Sequence, residues 1–474
     1  MVTTAEQTYD VVVLGAGSTG ENVADIAVRG GLSAVLVESE LVGGECSYWA
    51  CMPSKALLRG TEALDEARAV DGAAQAVTGE QDVAATLARR TSFTHGWDDS
   101  SQVEWVRGAG IDLVRGVGRL DGEKVVVVST ADGGTARLTA RQAVVVCTGS
   151  EAALPPVEGL AEAQPWTPRE ATSAKAAPDR LVVLGGGVVG CELATAWSAL
   201  GSEVTLLQRG PRLLSAMEPE ASEAVLGALR DRGVDVRLGV QVTAVRRDGD
   251  EVVLTTADGE VRGDELLVAA GRRAQTSDIG LDTVGLTPGE YLDVDDSLQV
   301  RGVPWLYGVG DANGRRLLTH MGKYQARQAG AAIVARAHRD RVSLADWSPF
   351  VATADTLATP QVTFTTPQVA SVGRTAAQAE DAGVPHRVVR YELGNVAGAA
   401  LFADGYTGTA IAVVDTEREV LLGMTFIGSG VAELLHSATI AVVGEVPISR
   451  LWHAVPSYPT ISEVWLRLLE TYRA

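Results

Sequence analysis

Cys46 and Cys51 sit in the segment Gly43-Gly44-Glu45-Cys46-Ser47-Tyr48-Trp49-Ala50-Cys51-Met52-Pro53-Ser54-Lys55. Two thiols so placed, shortly after a glycine-rich turn, point to electron transfer through sulfur. Residues five apart in a regular helix have Cα atoms about 8–9 Å apart, and a disulfide fails beyond roughly 7 Å, so pairing needs an irregular turn. Pro53 fits the first turn of a helix running through Lys55-Ala56-Leu57-Leu58. That helix places Cys51 at its positive end, where a thiolate is stabilised. The alternative is two unrelated buried thiols, since reduced cysteine is among the most buried residue types.

The elements that must hold such a pair come from a pattern written twice. Val11-Val12-Val13-Leu14 leads into Gly15-Ala16-Gly17-Ser18-Thr19-Gly20, which reads as a buried parallel strand, a tight turn and a helix entry. The same layout returns 170 residues later as Leu181-Val182-Val183-Leu184 and Gly185-Gly186-Gly187-Val188-Val189-Gly190. In each copy the first glycine (Gly15, Gly185) permits the turn. The second (Gly17, Gly187) lets backbone amides approach a pyrophosphate, and the third (Gly20, Gly190) lets helix pack on strand. A second apolar strand follows each, at 33–37 and 204–207, the context that separates a dinucleotide-binding turn from a chance match.

The residue closing that second strand lies near the adenosine ribose. In the first copy it is Glu38, eighteen residues after Gly20; a carboxylate there suits FAD or NAD and repels a 2′-phosphate. At the equivalent spacing from Gly190 stands Gln208, followed by Arg209 and Arg212. Loss of the carboxylate and gain of two guanidinium groups favours NADPH, with NADH the alternative.

Size and charge limit what surrounds these turns. The chain has 474 residues, 46% of them apolar, with no long run of charge, which is material for two to four domains. A net charge of −20, from 40 basic and 60 acidic residues, argues against nucleic acid or an anionic membrane as partner. The first nine residues lack the apolar core of a signal peptide, and no segment approaches the ~18 apolar residues of a membrane span. The expected compartment is the cytoplasm. Four cysteines are too few for a secreted disulfide scaffold, and a disulfide in a reducing compartment is usually catalytic or redox-sensing. Cys147 and Cys191 lie in apolar segments and are expected to be packing residues.

With paired nucleotide turns and a CxxxxC motif between them, the chain resembles the FAD-dependent pyridine nucleotide-disulfide oxidoreductases over nearly its whole length. Further segments carry the likeness: Val146-Cys147-Thr148-Gly149-Ser150, Ala269-Ala270-Gly271-Arg272-Arg273, and Leu306-Tyr307-Gly308-Val309-Gly310-Asp311-Ala312. Pro360 through Phe364, Pro367 and Val372-Gly373 resemble the family's C-terminal interface domain. The resemblance implies an α/β fold of two Rossmann-like dinucleotide-binding domains, for FAD and NAD(P), plus a C-terminal α+β dimerisation domain. The implied layout is an FAD domain at 1–152 and 274–346, an NAD(P) domain at 153–273 and a dimerisation domain at 347–474, assembled as a homodimer.

Residue by residue, the resemblance makes Cys51 the thiol against the flavin and Cys46 the outer thiol that meets substrate. Lys55 and Glu192 match an ion pair beside the flavin, the alternative being two independent surface charges. Gly44, Thr148, Gly149, Gly271, Arg272, Gly310 and Asp311 join the turn residues as implied cofactor contacts, Asp311 on the FAD ribityl chain. Hydride would pass from NADPH to FAD, and electrons to the Cys46–Cys51 disulfide and a small acceptor: a disulfide, a metal ion or a quinone. The flavin performs that chemistry and the protein orients it. No residues are assigned to a resident metal.

One departure bears on mechanism. Val455-Pro456-Ser457-Tyr458-Pro459-Thr460-Ile461-Ser462-Glu463 occupies the place of the family's His-Pro-Thr-x-x-Glu, so Tyr458 replaces the acid–base histidine. Tyrosine titrates near 10 against about 6.5 for histidine, and losing a general acid–base typically costs ~10²–10⁴ in rate. Efficient reduction of lipoamide or glutathione disulfide is therefore not expected. His453 falls five residues early, in the segment 448–454. Thr460-Ile461-Ser462-Glu463 also matches a helix capping box before an amphipathic run at 464–469. Mercury-reducing members have a tyrosine in this region with a C-terminal cysteine pair, whereas this chain ends Glu470-Thr471-Tyr472-Arg473-Ala474 and carries no extra N-terminal metal-binding domain. Glu45, Tyr48 and Trp49 replace smaller residues around the disulfide, which implies an altered approach for substrate. Two other functions stay open: direct reduction of quinones or other electrophiles by the flavin, and a redox-responsive binding protein or complex subunit with negligible turnover.

Overall fold

Unbroken β-branched runs make strands buried on both faces, and the two glycine turns each grow from such a strand. The computed structural model describes residues 4–474. Six of the helices carry or support the residues named above: α1 (Ser18–Arg29), α2 (Gly44–Tyr48), α3 (Cys51–Arg68), α4 (Val188–Ala199), α5 (Thr319–Ala337) and α6 (Val464–Arg473). The chain divides into two compact units, one of Met1–Pro53, Thr91–Ala152 and Arg272–Asp355, the other of Ser54–Arg90, Ala153–Gly271 and Thr356–Ala474.

In the first unit Thr4–Leu14 lies between Ala34–Glu38 and Thr135–Val146, parallel to both, with Val12 opposite Val35 on one side and Val144 on the other. Asp112–Arg115 and Leu306–Gly308 extend the parallel sheet, and the antiparallel strands Val125–Ser129 and Val117–Leu120 complete it. Val11, Val12, Val13, Val35, Val144 and Val145 are fully buried, each worth about 1.5–3 kcal/mol by removal from water. Gly20, Val23, Ala24 and Ala27 recur at helical spacing and form the buried face of α1. Small residues set how closely α1 and α5 approach: a Cβ on Gly330 would lie 2.7 Å from Ile26, and one on Gly30 2.5 Å from Val334.

The second unit repeats the scheme. Arg180–Leu184 runs parallel to Glu203–Gln208 and Glu265–Val268, with Asp235–Leu238 outermost. Every residue of α4 from Gly190 to Trp197 is buried, as expected of a helix apolar on all sides. Val242–Asp248, Glu251–Thr256 and Gly259–Gly263 form a three-stranded antiparallel sheet. The C-terminal part is a five-stranded antiparallel sheet ordered Pro360–Thr363, Gln368–Gly373, Val420–Gly428, Thr409–Asp415, His386–Glu392.

The two glycine turns are held by the same contacts. Gly15 has φ +97° and a Cβ there would lie 2.4 Å from the Cys147 carbonyl oxygen; Gly185 has φ +118° and would meet the Ala269 oxygen at 2.4 Å. The third glycines leave no room at all, with a Cβ 2.0 Å from Gly15 O at Gly20 and 1.9 Å from Gly185 O at Gly190.

The capping box expected at Thr460–Glu463 is not formed. Thr460 Oγ1 donates to the Ser457 carbonyl at 2.6 Å, and a short 3₁₀ turn, Ile461–Glu463, precedes α6. The Thr460 backbone is pressed against Gly398, where a Cβ would lie 2.1 Å from Thr460 C. Packing therefore sets the conformation that the cap was expected to set. Among the described residues, no helix is long and apolar enough to cross a membrane.

Gly190→Ala forces a methyl into the Gly185 carbonyl, so the turn must open. Overpacking of this kind costs about 1–3 kcal/mol, and thermal unfolding should show a lowered midpoint for G190A, while Ala substituted at the open Gly187 leaves it near that of the unaltered chain.

Candidate active site

The break that the cysteine spacing demands falls between α2 and α3. Trp49 leaves the helix at φ −135°, ψ −5°, and the amides of both Trp49 and Ala50 turn to the Glu45 carbonyl, at 2.8 and 2.6 Å. Cys51 then opens α3. This brings the two side chains together: Cys46 is hydrogen-bonded to Cys51. Cys51 Sγ lies 3.2 Å from Oγ1 of Thr319, the first residue of α5, and the Thr319 hydroxyl also bonds Cys46. The bond to Cys51 and burial push the Cys46 thiol up, while Thr319 and the Lys323 ammonium act the other way. Cys147 and Cys191 are buried apart from the thiol pair, Cys191 pushed up to about 12 by burial.

Gly43 and Gly44 seat this segment on the first glycine turn. Gly43 pairs with Gly17, and a Cβ on Gly44 would lie 2.8 Å from Gly17 Cα. Tyr48 does not shape an approach for substrate, as its place beside the motif implied. It is fully buried, its ring 5.6 Å from that of Trp49 and its carbonyl bonded by Trp97 Nε1 at 3.2 Å. Glu45 is drawn to Arg272, with 3.1 Å between Oε2 and Nη2.

The carboxylate of Glu38 closes the first turn. Its Oε2 accepts from the Ala16 amide and its Oε1 from the Glu40 amide, both at 2.7 Å, and burial pushes the carboxyl up. Gln208 repeats the first bond, Oε1 accepting from the Gly186 amide at 2.9 Å, and its Nε2 donates to the Arg212 carbonyl at 3.2 Å. Arg212 in turn donates to the Ser215 carbonyl at 3.1 Å, and Arg209 is exposed.

Both turns fit a dinucleotide. Gly187 has an ordinary φ of −79° and no atom within 4 Å of its Cβ position, and at Gly17 (φ −71°) the nearest atom is 3.9 Å away. Neither backbone conformation nor protein packing calls for glycine there, but close approach by a ligand does. Thr148 Oγ1 is buried without a hydrogen-bond partner beside Gly149. Asp311, following Gly310, accepts from Ser150 Oγ at 2.5 Å, and its burial pushes the carboxyl up. Arg272, which directly follows Gly271, donates from Nε to Ser150 Oγ at 2.6 Å and lies 3.8 Å from Asp311.

In the second unit Lys55 Nζ and Glu192 Oε2 meet at 2.6 Å, so they are a pair and not independent surface charges. Glu192 is buried, and its Oε1 accepts from the Phe364 amide at 2.8 Å, while Lys55 lies 5.0 Å from the Phe364 ring centroid. Both oxygens of this buried carboxylate are thus engaged by hydrogen-bond donors. Tyr458 is 75% exposed and His453 is exposed as well. Glu463 is buried and pairs with Arg467 at 2.5 Å, and its Oε2 is without a partner. These three belong to the second unit and the cysteines to the first.

Thr319, Lys323 and Phe364 are the residues that sequence reasoning passed over. Thr319 lies 268 residues from Cys51. The one local signal is a hydroxyl that opens a long helix eight residues after Asp311.

Comparison with known proteins bears on these arrangements. The model of the pyridine nucleotide-disulphide oxidoreductases matches residues 9–336, and that of their dimerisation domain matches 359–468. The chain is similar to the mercuric reductase of Streptomyces lividans, 32% identical and covering 98% of this chain and 96% of that protein. It is 29% identical to the dihydrolipoyl dehydrogenase of Chlamydia muridarum, over 97% of this chain and 96% of the relative. Among solved structures, the HOCl-induced flavoprotein disulfide reductase RclA of Escherichia coli in its Cu(II) complex shares the fold, with a TM-score of 0.84 at 21% identity over 98% of this chain and 99% of that one. LpdA of Mycobacterium tuberculosis does so with a TM-score of 0.83 at 23% identity over 99% and 100%. Paired nucleotide turns, the adjoining thiols and full-length similarity lead to one assignment: the chain belongs to the pyridine nucleotide-disulphide oxidoreductase family, enzymes that use FAD and NAD(P)H.

Proposed function

We propose that the chain is a cytoplasmic, homodimeric NADPH-dependent flavoenzyme that passes an electron pair through Cys46 and Cys51 to a small acceptor. The observation that carries this reading is the contact of the two thiols at the start of α3, with Thr319 against Cys51. The proposed layout keeps an FAD domain at 1–152 and 274–346, an NAD(P) domain at 153–273 and an interface domain at 347–474. Exposure of Val455 and Tyr458 in the single chain, and the match to a dimerisation domain, support the homodimer.

Gly15, Gly17, Gly20, Glu38, Gly44, Thr148, Gly149, Gly271, Arg272, Gly310 and Asp311 are the residues that would hold FAD. FAD, when bound, supplies hydride acceptance from the nicotinamide and delivery of electrons to sulfur. Gly185, Gly187 and Gly190 would take the pyrophosphate of NADPH, with Gln208, Arg209 and Arg212 around its adenosine end. Glu192, fixed by the Phe364 amide, orients Lys55. Cys51, at the N-terminal end of α3, is the thiol better placed to carry negative charge. Cys46 then faces the acceptor. Position 458 offers a phenol and no imidazole, and Glu463 is paired with Arg467. Acceptors that need no imidazole suit the site best: quinones, metal ions and activated disulfides. Similarity to a mercuric reductase keeps metal ions among them.

Direct transfer from flavin to a quinone is the competing reading, and the exposed tyrosine at 458, where the family likeness expects a histidine, favours it. Anaerobic titration of the purified yellow protein with NADPH separates the two. The unaltered protein should take up more than two electrons per FAD and the Cys46→Ser variant two. Equal uptake by both would sink the sulfur route, and quinone reduction that survives C46S would establish the direct one.

The cofactor choice has its own test. Replacing Arg209 and Arg212 together by Ala removes two phosphate-binding charges and should raise KM for NADPH by about tenfold or more. KM for NADH should stay within about twofold. A parallel rise in both would end the case for the 2′-phosphate.

A further inference from the structure

Glu45 has no part in the mechanism above, yet it is bonded at both ends of the residue. Its carbonyl accepts from the Trp49 and Ala50 amides, at 2.8 and 2.6 Å, and so makes the break that lets the thiols meet. Its side chain reaches the other way, with Oε2 accepting from Arg272 Nη2 at 3.1 Å. The glutamate side chain is 34% exposed and that of the arginine 25%, so solvent screens the pair only in part.

Arg272 is a fixed partner. It opens the strand Arg272–Ala274, which pairs antiparallel with Ser150–Ala152. Its Nη2 also donates to the Ser150 carbonyl at 2.5 Å and its Nε to Ser150 Oγ at 2.6 Å, while Tyr291 Oη donates to its own carbonyl at 3.2 Å. The α2 segment is the opposite case. It has five residues and is entered through two glycines in the left-handed region, Gly43 at φ +110° and Gly44 at φ +60°. So short a helix does not hold itself, because nucleation costs more than its few bonds return. Cys51 is already held at Thr319, 3.2 Å away. The Cys46 side depends on the seat at Gly17, the buried Tyr48 and the reach of Glu45 to Arg272.

We propose that Glu45 is a positioning residue for the dithiol: anchored on Arg272, it keeps α2 where Cys46 and Cys51 touch and so favours the disulfide over the two thiols. The inference rests on the reading that these cysteines exchange electrons. A disulfide needs Cβ atoms about 3.8 Å apart, and a segment already held in place has less freedom to lose when the bond closes. In that step both S–H bonds break, the S–S bond forms, and two electrons with two protons pass to the oxidant. The same guanidinium lies 3.8 Å from Asp311, which accepts from Ser150 Oγ at 2.5 Å. One cation thereby ties the thiol-bearing turn to the loop that carries Asp311.

The test is the equilibrium between dithiol and disulfide. The FAD-loaded protein is held anaerobically in buffers of reduced and oxidised glutathione, where each Cys46–Cys51 bond formed converts one oxidised glutathione into two thiols. The disulfide fraction is read by thiol labelling and mass spectrometry of the peptide that carries both cysteines. Glu45→Ala should lower the equilibrium constant for disulfide formation about threefold or more. Arg272→Ala should act in the same direction, and the double variant should fall no further than the larger single effect, as for residues that act through one contact. Glu45→Gln keeps an oxygen for the guanidinium and should lose less than E45A. A constant unchanged in E45A, or single effects that add in the double variant, overturns the proposal, because a merely structural role lowers the unfolding midpoint and leaves the thiol equilibrium where it was. Should R272A fail to retain FAD, E45A alone decides. Failure of the underlying sulfur route would appear separately, as equal electron uptake by C46S and the unaltered protein.

Discussion

Two sulfur atoms five residues apart can meet only where the backbone stops being a helix, and most of the first unit serves that break. Gly43 and Gly44 anchor one side of it against the phosphate turn, and the Glu45 carbonyl gathers the two amides released at Trp49 and Ala50. The buried Tyr48 ring fills the space behind. A helix that restarts at Cys51 then offers its positive end to that thiol. The same glycines that leave room for a pyrophosphate thus fix the position of the thiols. The nucleotide turn and the placing of the two thiols are one constraint.

Charge around the sulfurs is arranged differently from what an imidazole-based exchange would need. Where the family likeness expects a histidine stands an exposed tyrosine, Tyr458, and Glu463, just before α6, is tied to Arg467. Inside the first unit, a polar contact to the thiols comes from α5 instead, through Thr319. Arg272 links Glu45, Ser150 and Asp311, so the unusual glutamate before Cys46 has a cation to answer it. An altered motif residue and its compensation lie 227 residues apart.

Much of the architecture was readable because it rests on local rules. Runs such as Val11–Leu14 and Leu181–Leu184 can only be interior parallel strands, and a third glycine that a methyl would drive into its own turn leaves few alternatives. The Lys55–Glu192 pair was readable only through family likeness, since nothing local joins residues 137 apart. The cap at Thr460 was misread because Gly398, distant in sequence, holds that backbone in another conformation. Tyr48 was misplaced for a related reason: an aromatic beside a reactive motif looks like a substrate contact until the fold shows the core closing over it. Thr319 gave only a hydroxyl at the start of a long helix, because a residue's proximity to a distant thiol leaves little trace in its neighbours.

The side chains that close the two turns differ by a single heavy atom, and that atom has a consequence for the loop beyond. Glu38 and Gln208 both spend one oxygen on shutting their turn. Glu38 has only a second acceptor left, whereas Gln208 has a donor, which it lends to the Arg212 carbonyl. The same latch therefore closes both turns, while the other end of Gln208 holds the loop that carries Arg212. Selectivity toward one coenzyme can drift in that loop without the fold having to relearn how to bind phosphate.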